Sequence, residues 1–356
     1  MRRTGSWRSG ATILVPTSGG KSAAPLASRT APSRLKRVII TSEAPPSATT
    51  VATAPAALDP RGLGLGLSGY LMWGTLPLFF ALLERSSPIE VVAHRAVWSL
   101  LFCLLLLVVL RQLPSLLTVL RNRRAVGALA LSAMLVAVNW VLFVWGVTNG
   151  HVVEASLGYF INPIVTVVIA VLVLRERLSR GQWMAVAIAG AAVGVLTVAA
   201  GGVPWLALGL AGSFGLYGLV KNRVGRTVGA LPGLAVETMV LTPVGIAYLV
   251  WLGPDGTMLG SGPGYAALLV STGVVTALPL LLFSAAARSL PLSVVGLMQY
   301  ITPLMQFLVG VLVFGEHMAP ARWAGFVLVW IAIGVLSVDA VRNLRRRALL
   351  RAPVTA

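Results

Sequence analysis

Long apolar runs follow one another from Leu63 to the C-terminal region, and short polar segments separate them. Each run holds about 17–23 residues, and a helix needs about 20 apolar residues to cross a bilayer. The pattern therefore predicts an all-α integral membrane protein with ten transmembrane helices. The predicted spans are Leu63–Leu83, Val91–Leu110, Val126–Val147, Val152–Leu174, Trp183–Ala200, Trp205–Val220, Leu234–Leu252, Tyr265–Ala287, Leu292–Phe314 and Trp323–Val341.

Composition agrees with a membrane protein. Of the 356 residues, 57% are hydrophobic and 11% are charged, whereas soluble domains average about 25% charged residues. The net charge of +18 would suit nucleic acid, but the arginines lie in loops and tails between spans, so we predict no nucleic-acid partner. The chain has one cysteine, Cys103, which lies inside a predicted span. A single cysteine cannot form an intramolecular disulfide. No Cys/His cluster suggests a metal, and we predict neither a metal nor a cofactor.

Basic residues alternate between the two sides of the predicted bundle. One side holds those in 111–124, 175–180, 221–226, 288 and 342–351, whereas the other side holds only Arg85 and Arg322. Cytoplasmic loops carry the excess of Lys and Arg. This distribution predicts a multi-pass protein with both termini in the cytoplasm.

Two distant segments resemble each other. Leu157–Trp183 aligns without gaps on Leu297–Trp323, so that Pro163 meets Pro303 and both fall inside predicted spans. Because each repeat holds five spans, an odd number, the two repeats must be inverted in the membrane. We expect four segments: a disordered N-terminal tail (1–61), a first five-helix repeat (62–202), a second five-helix repeat (203–341) and a basic cytoplasmic tail (342–356). For the first, a transit peptide or a translation start further along the chain remain alternatives.

Inverted repeats are typical of secondary transporters, whose site lies near the bilayer midplane at interrupted helices. We therefore predict an alternating-access carrier of a small organic solute, with helix breaks at Pro163 and Pro303. Two alternatives stay open: a receptor or scaffold that transports nothing, and an intramembrane enzyme. The enzyme alternative is disfavoured because the chain has no HExxH or GxSxG motif, and we predict that it is not an enzyme.

Polar residues inside apolar spans mark the candidate binding or coupling site, since charges there are costly to insert. Arg95 either extends to the membrane surface or faces the cavity, where it would hold an anionic group or pair with an acid. Glu154 either stabilises a helix N-terminus or faces the cavity as a proton carrier. The candidate residues are His94, Arg95, Asn139, Glu154, Tyr159, Asn162, Glu237, Gln299, Tyr300 and, as a further neutral group, Gln306.

Several of these residues lie in segments that resemble the EamA-type drug/metabolite transporter superfamily. The segments are HRAVWS (94–99), NWVLFVWGV (139–147), EASLGYFINP (154–163), FGLYGLVKN (214–222), ETMVLTPV (237–244) and QYITP (299–303). The resemblance implies a ten-helix bundle in the bacterial inner membrane that carries small metabolites or drugs without ATP, often outward. It places Arg95 at an arginine of the second helix and Pro163 and Pro303 at shared prolines.

Partners follow from these expectations. We predict a small organic solute, the lipid bilayer and protons as the coupling ion. Gly190 and Gly194 form a GxxxG pattern on the fifth span, which suits either a dimer face or packing within the bundle. The protein is accordingly expected to be a monomer or a homodimer.

Overall fold

The structure is a computed structural model that describes residues 59–175, 178–225, 227–290 and 292–351. Most of the predicted N-terminal tail, residues 1–58, lies outside the described residues, as do residues 352–356 of the C-terminal tail. The described part is helical and contains no strand. Its helices are α1 Pro60–Gly74, α2 Leu76–Ala81, α3 Pro88–Val109, α4 Leu113–Arg121, α5 Arg123–Thr148, α6 Val152–Leu174, α7 Arg180–Ala200, α8 Trp205–Val224, α9 Ala230–Leu252, α10 Thr257–Gly260, α11 Pro263–Ser289, α12 Leu292–Met298, α13 Ile301–Leu308 and α14 Pro320–Arg351.

Nine helical stretches of the described chain are long and apolar enough to cross a membrane. The stretch from Pro60 to Ala81 combines α1 and α2, and the stretch from Val294 to Val313 combines α12, α13 and a π-helical turn. The 20-residue helix α8, which was the predicted sixth span, is not among the nine. Its four glycines and its last turn, with Lys221 and Arg223, lower its mean hydropathy.

Short polar residues fix where several helices begin. Ser87 accepts a hydrogen bond from the backbone N–H of Glu90 at the start of α3, and Asn122 does the same for Ala125 in α5. Ser179 and Gln182 form the reciprocal capping box that the sequence pattern predicts for α7. Each cap supplies an acceptor to a backbone N–H that the first turn of a helix cannot satisfy.

Helix packing follows a pattern of exchange between the two halves of the chain. Two helices of the first half pack on helices of the second: α3 on α11, and α6 on α8. The corresponding helices of the second half pack on helices of the first: α9 on α5, and α13 on α1. Each contact thus has a counterpart five spans away. The direct pairs of equivalent spans, α3 with α9, α7 with α14 and α6 with α13, also pack together.

Both ends of the bundle contain closely packed residues. We call the end that contains the start of α1 the N-terminal face; there the first residues of α1 meet the end of α11, at Gly62 and Ser289. At the opposite face, a buried apolar cluster closes the space between the halves. This opposite-face cluster contains Leu76, Phe80, Leu83, Val91, Val92, Phe143, Val144, Val147, Val152, Ala155, Leu206, Leu210, Tyr265 and Leu269.

Three features differ from the sequence-based expectation. Residues 113–121, expected as loop, form the short helix α4, which buries Leu116 and Val119. The helix α6 continues through Pro163, whereas the break expected at Pro303 lies earlier, between Met298 and Ile301. Proline is tolerated in the first turn of a helix, where its missing N–H is not needed, so Pro303 fits the start of α13.

Candidate functional site

Arg95 is the most deeply placed cation of the bundle core that the structure describes. Its side chain is 5% exposed, and its Nε donates a hydrogen bond to Thr276 Oγ1 at 2.7 Å. The guanidinium carbon lies 4.0 Å from the ring centroid of Trp140 and 5.1 Å from that of Phe80. Its Nη1 is buried without a partner.

No carboxylate neutralises Arg95 among the residues that the structure describes, whose single salt bridge joins Lys221 and Glu237. A charged side chain at the centre of a membrane helix costs about 2.5–3.5 kcal/mol. Each cation–π contact returns about 0.5–2 kcal/mol. The two rings therefore make the position tolerable for a cation, but they supply no negative charge.

Other donors without partners lie on the same two turns of α3. The Oγ of Ser99, one turn after Arg95, is buried and has no partner in the described chain. The same holds for Trp98 Nε1 and for both ring nitrogens of His94. Arginine and the tryptophan indole can only donate hydrogen bonds. This part of α3 therefore requires acceptors that the surrounding described helices do not provide.

Glycines bring the neighbouring helices close to this part of α3. A side chain at Gly273 would clash with the backbone carbonyl of Trp98, so α11 contacts α3 directly. This contact places Thr276, one turn further along α11, beside Arg95. On another side of α3, a Cβ at Gly245 of α9 would lie 3.2 Å from the carbonyl oxygen of Ala93.

A second polar group joins α5, α6 and α8. The hydroxyl of Tyr159 donates to Asn139 Oδ1 at 3.0 Å, and Asn139 Nδ2 donates to the carbonyl oxygen of Leu210 and to Ser213 Oγ, each at 3.1 Å. This network depends on close contact of α6 with α8 at Gly158, where a Cβ would lie 2.7 Å from the carbonyl oxygen of Ala207.

Aromatic rings connect the Arg95 and Tyr159 groups. Phe80, which lies under the guanidinium, packs edge-to-face on Phe143 at 6.0 Å, and Phe143 packs on Tyr159 at 5.8 Å. Tyr159 packs in turn on Phe214 at 5.8 Å. The two polar groups therefore border one aromatic layer next to the opposite-face cluster, of which Phe80 and Phe143 are members.

An ion pair lies nearer the N-terminal face. Glu237 is 1% exposed, and its Oε1 lies 3.1 Å from Lys221 Nζ and accepts a hydrogen bond of 2.5 Å from Ser132 Oγ. Its Oε2 is buried without a partner in the described chain. Lys221 is 25% exposed, which leaves one member of the pair in contact with its surroundings.

Lys221 also lines a cavity of about 300 Å³ that opens between α5, α8, α9 and α11 near the N-terminal face. Its wall is apolar except for Lys221, Ser284 and backbone groups. The lining residues are Leu129, Lys221, Val224, Gly225, Val228, Gly229, Ala230, Leu280, Phe283, Ser284 and Ala287.

The remaining candidate residues lie apart from these groups. Glu154 and Asn162 are half-buried on α6, and Glu154 Oε1 and Asn162 Oδ1 have no partner in the described chain. Gln299 is exposed, while Tyr300 packs against a cluster that includes Phe160, Phe307 and Phe326. Gln306 is buried, and its amide donates to the carbonyl oxygen of Trp73 in α1 at 3.2 Å.

The structure thus groups Arg95, Asn139 and Tyr159 around one aromatic layer, with Glu237 in a separate ion pair. The sequence pattern did not single out Lys221, Ser132, Trp140 or Thr276 as site residues. Lys221 lies in the quoted segment FGLYGLVKN, but its position at the end of a span is typical of an ordinary loop cation. Within the residues that the structure describes, no group of three or more His, Cys, Asp and Glu side chains is placed to hold a metal ion.

Comparison with known proteins identifies the family. The profile of the EamA-like transporter family matches the chain twice, over residues 60–198 and 202–338. The chain belongs to the EamA-like transporter family. Each EamA match covers five of the predicted spans, so the duplication seen in the sequence is also a duplication of the family domain.

Relatives in bacteria are similar over nearly their whole length. A RarD protein of Streptomyces exfoliatus is 50% identical over 82% of this chain and 93% of its own. An uncharacterized transporter of Pseudomonas aeruginosa is 42% identical, over 80% and 96%. A RarD protein of Escherichia coli K12 is 40% identical, over 80% and 97%. This EamA protein is therefore a transporter of the bacterial inner membrane. It is embedded in the lipid bilayer and acts on a small solute.

One solved structure resembles the fold of this EamA protein. It covers 79% of this chain and 98% of its own, with a TM-score of 0.54 and 16% sequence identity. At this identity the likeness concerns the arrangement of helices alone.

Proposed function

We propose that the protein is a secondary transporter that moves a small organic metabolite or drug by alternating access, with ten spans arranged as two inverted five-helix halves. The observation that carries the proposal is the exchange pattern of helix packing, in which the α3–α11 and α6–α8 contacts recur five spans along the chain as α9–α5 and α13–α1. Two halves related in this way can trade conformations, which opens a shared site first to one side and then to the other. The helix α8 then serves as the sixth span, with Gly215 permitting close packing on α6.

The place of the cavity supports an inward-facing state. The opposite-face cluster closes one end, and the cavity of about 300 Å³ lies at the other. The arginine-rich loops belong to the N-terminal face, so we propose that this face is cytoplasmic, together with both termini. The cavity then opens to the cytoplasm, which suits loading of a solute for export.

Coupling to protons is the second part of the proposal. Glu237 is a buried carboxylate next to the cavity, held by Lys221 and Ser132. A carboxylate that loses its cation in the outward-facing state would bind a proton, because an unpaired buried charge is unfavourable. We propose that Glu237 carries the coupled proton and that Lys221 replaces that proton in the inward-facing state.

The experiment is transport by purified protein in liposomes with an imposed pH gradient, measured over a broad panel of organic solutes. We expect at least one solute to cross faster than in empty vesicles, and Glu237→Gln to abolish the acceleration that the gradient gives. Arg121→Gln, at an exposed cation at the end of α4, is the control and should transport normally. Equal flux in loaded and empty vesicles for every solute would contradict the transporter proposal. Gradient-dependent flux that survives in Glu237→Gln would contradict only the coupling role.

A further inference from the structure

The donors on α3 indicate what kind of solute the carrier binds. Arg95 Nη1, Trp98 Nε1 and Ser99 Oγ are all buried without partners in the described part of the chain, and the first two can only donate hydrogen bonds. A ligand that satisfies them must present acceptors, and a ligand that also neutralises Arg95 must be negative. An amine or a quaternary ammonium ligand would meet a like charge here.

The aromatic surroundings limit the shape of this ligand. Trp140 and Phe80 lie against the guanidinium and Thr276 accepts a hydrogen bond from its Nε, while Nη1, on the outer edge of the guanidinium, has no partner in the described chain. A carboxylate matches this edge because two parallel N–H···O bonds fit the spacing of its oxygens. Phe143 and Tyr159 continue the aromatic layer beyond Phe80 and would contact an apolar body attached to the carboxylate.

We propose that the solute is an organic anion, a carboxylate on an apolar or aromatic body, and that Arg95 binds the carboxylate with Ser99 and Trp98 as further donors. The inference rests on the proposed transport function, since it names the solute class for the same carrier. Lys221 is the other cation of the core, but its charge is already matched by Glu237.

The test is binding to the purified full-length protein by isothermal titration calorimetry, with matched pairs of probes. Benzoate, phenylacetate and 3-phenylpropionate are each compared with the corresponding neutral amide, and acetate tests the need for an apolar body. We expect at least one of the three aromatic anions to bind at least tenfold more tightly than its amide and than acetate. Arg95→Gln should reduce this preference to less than threefold, whereas Arg95→Lys should retain part of it.

Further variants keep the result interpretable if Arg95→Gln is poorly folded. Trp98→Phe removes only the indole N–H, and Ser99→Ala only a hydroxyl, so each should weaken anion binding several-fold and leave amide binding unchanged. Arg121→Gln, which removes an exposed cation at the end of α4, should leave the preference for anions intact. Loss of the preference in Lys221→Gln, with retention in Arg95→Gln, would overturn the assignment to Arg95.

Two other outcomes would also overturn the proposal. One is equal binding of anion and amide in every pair, and the other is a response to phosphatidylglycerol alone, which would make the anion a lipid headgroup. The failure of this inference can be told apart from failure of the transport proposal. Transport of neutral or cationic solutes without any anion preference would contradict the anion site and leave the transport proposal standing. Anion binding without any flux would support the anion site and contradict the transport proposal.

Discussion

At the scale of single residues, the two cations of the bundle core have different surroundings. Lys221 has a carboxylate partner at 3.1 Å, whereas Arg95 has two aromatic rings, one hydroxyl and no acid in the described chain. The charge of Lys221 is neutralised within the protein, whereas the charge of Arg95 is neutralised only when a negative ligand binds. On this difference we propose that Glu237 and Lys221 serve coupling and that Arg95 binds the solute.

The ion pair leads to a stability prediction. Lys221→Met should lower the free energy of unfolding by about 2–3 kcal/mol, somewhat less than for removal of one partner from a fully buried pair, because Lys221 is partly exposed. Adding Glu237→Gln should recover most of this loss, since the second change removes the charge that the first leaves unpaired. Unfolding in mixed micelles gives both values, and Arg121→Met is the exposed control. Additive effects of the two changes would contradict a coupled pair.

Single-residue reasoning from sequence found part of this site. Arg95, Asn139, Tyr159 and Glu237 were identifiable because polar side chains are rare inside apolar spans. Lys221 and Ser132 were not, because their role depends on contact with Glu237 across three different helices. A serine in a membrane helix and a lysine at its end are common, and only the packing shows that both reach the same carboxylate.

At the scale of helices, long elements could be predicted and short ones could not. The predicted span Val152–Leu174 has the same bounds as α6, and Trp205 begins both the predicted sixth span and α8. The nine-residue helix α4 was missed because a basic loop with a few leucines has too short a periodic pattern. The exact place of the break before Ile301 depends on packing against α1. The local sequence carries no information about that packing.

Close helix contact provides a prediction at this scale. Gly273→Ala should lower the unfolding free energy by about 1–3 kcal/mol, because overpacking forces backbones apart, and the new methyl group meets the carbonyl of Trp98. The shift would also separate Thr276 from Arg95 and reduce transport. Gly264→Ala, in the first turn of the same helix, has open space around the Cβ position and serves as the control. Equal melting temperatures for the two variants would count against the close contact of α3 and α11.

A helix cap gives a second prediction for elements. The Glu316 carboxylate accepts hydrogen bonds from the N–H groups of Val152 and Val153 at 2.5 and 3.0 Å, which ties the end of the ninth span to the start of α6. Glu316→Ala should cost about 0.5–2 kcal/mol, as for other N-terminal caps. Thermal unfolding in detergent measures the loss, and Glu84→Ala, at an exposed loop position, should leave the melting temperature unchanged. A smaller loss in Glu316→Ala than in Glu84→Ala would refute the capping role.

At the scale of the whole molecule, duplication and packing agree. The family profile matches both halves of the chain, and the helix contacts recur five spans apart. Under the proposed alternating-access mechanism, the arrangement that each half adopts is available to the other. The closed end and the open end should therefore exchange when the carrier turns over.

Accessibility of introduced cysteines tests this exchange. In a Cys103→Ala background, which lacks cysteine, Ser284→Cys lines the cavity and Val147→Cys lies in the opposite-face cluster. Without solute, a membrane-impermeant maleimide should label the cysteine at 284 from the cytoplasmic side and leave the one at 147 unlabelled. Driving turnover with a transported solute and a pH gradient should slow labelling at 284 and permit it at 147 from the outer side. Arg121→Cys, at the exposed end of α4 and outside the candidate spans, should label at a constant rate. Constant labelling at 284 and 147 under turnover would mean a rigid bundle, which cannot carry a solute by alternating access.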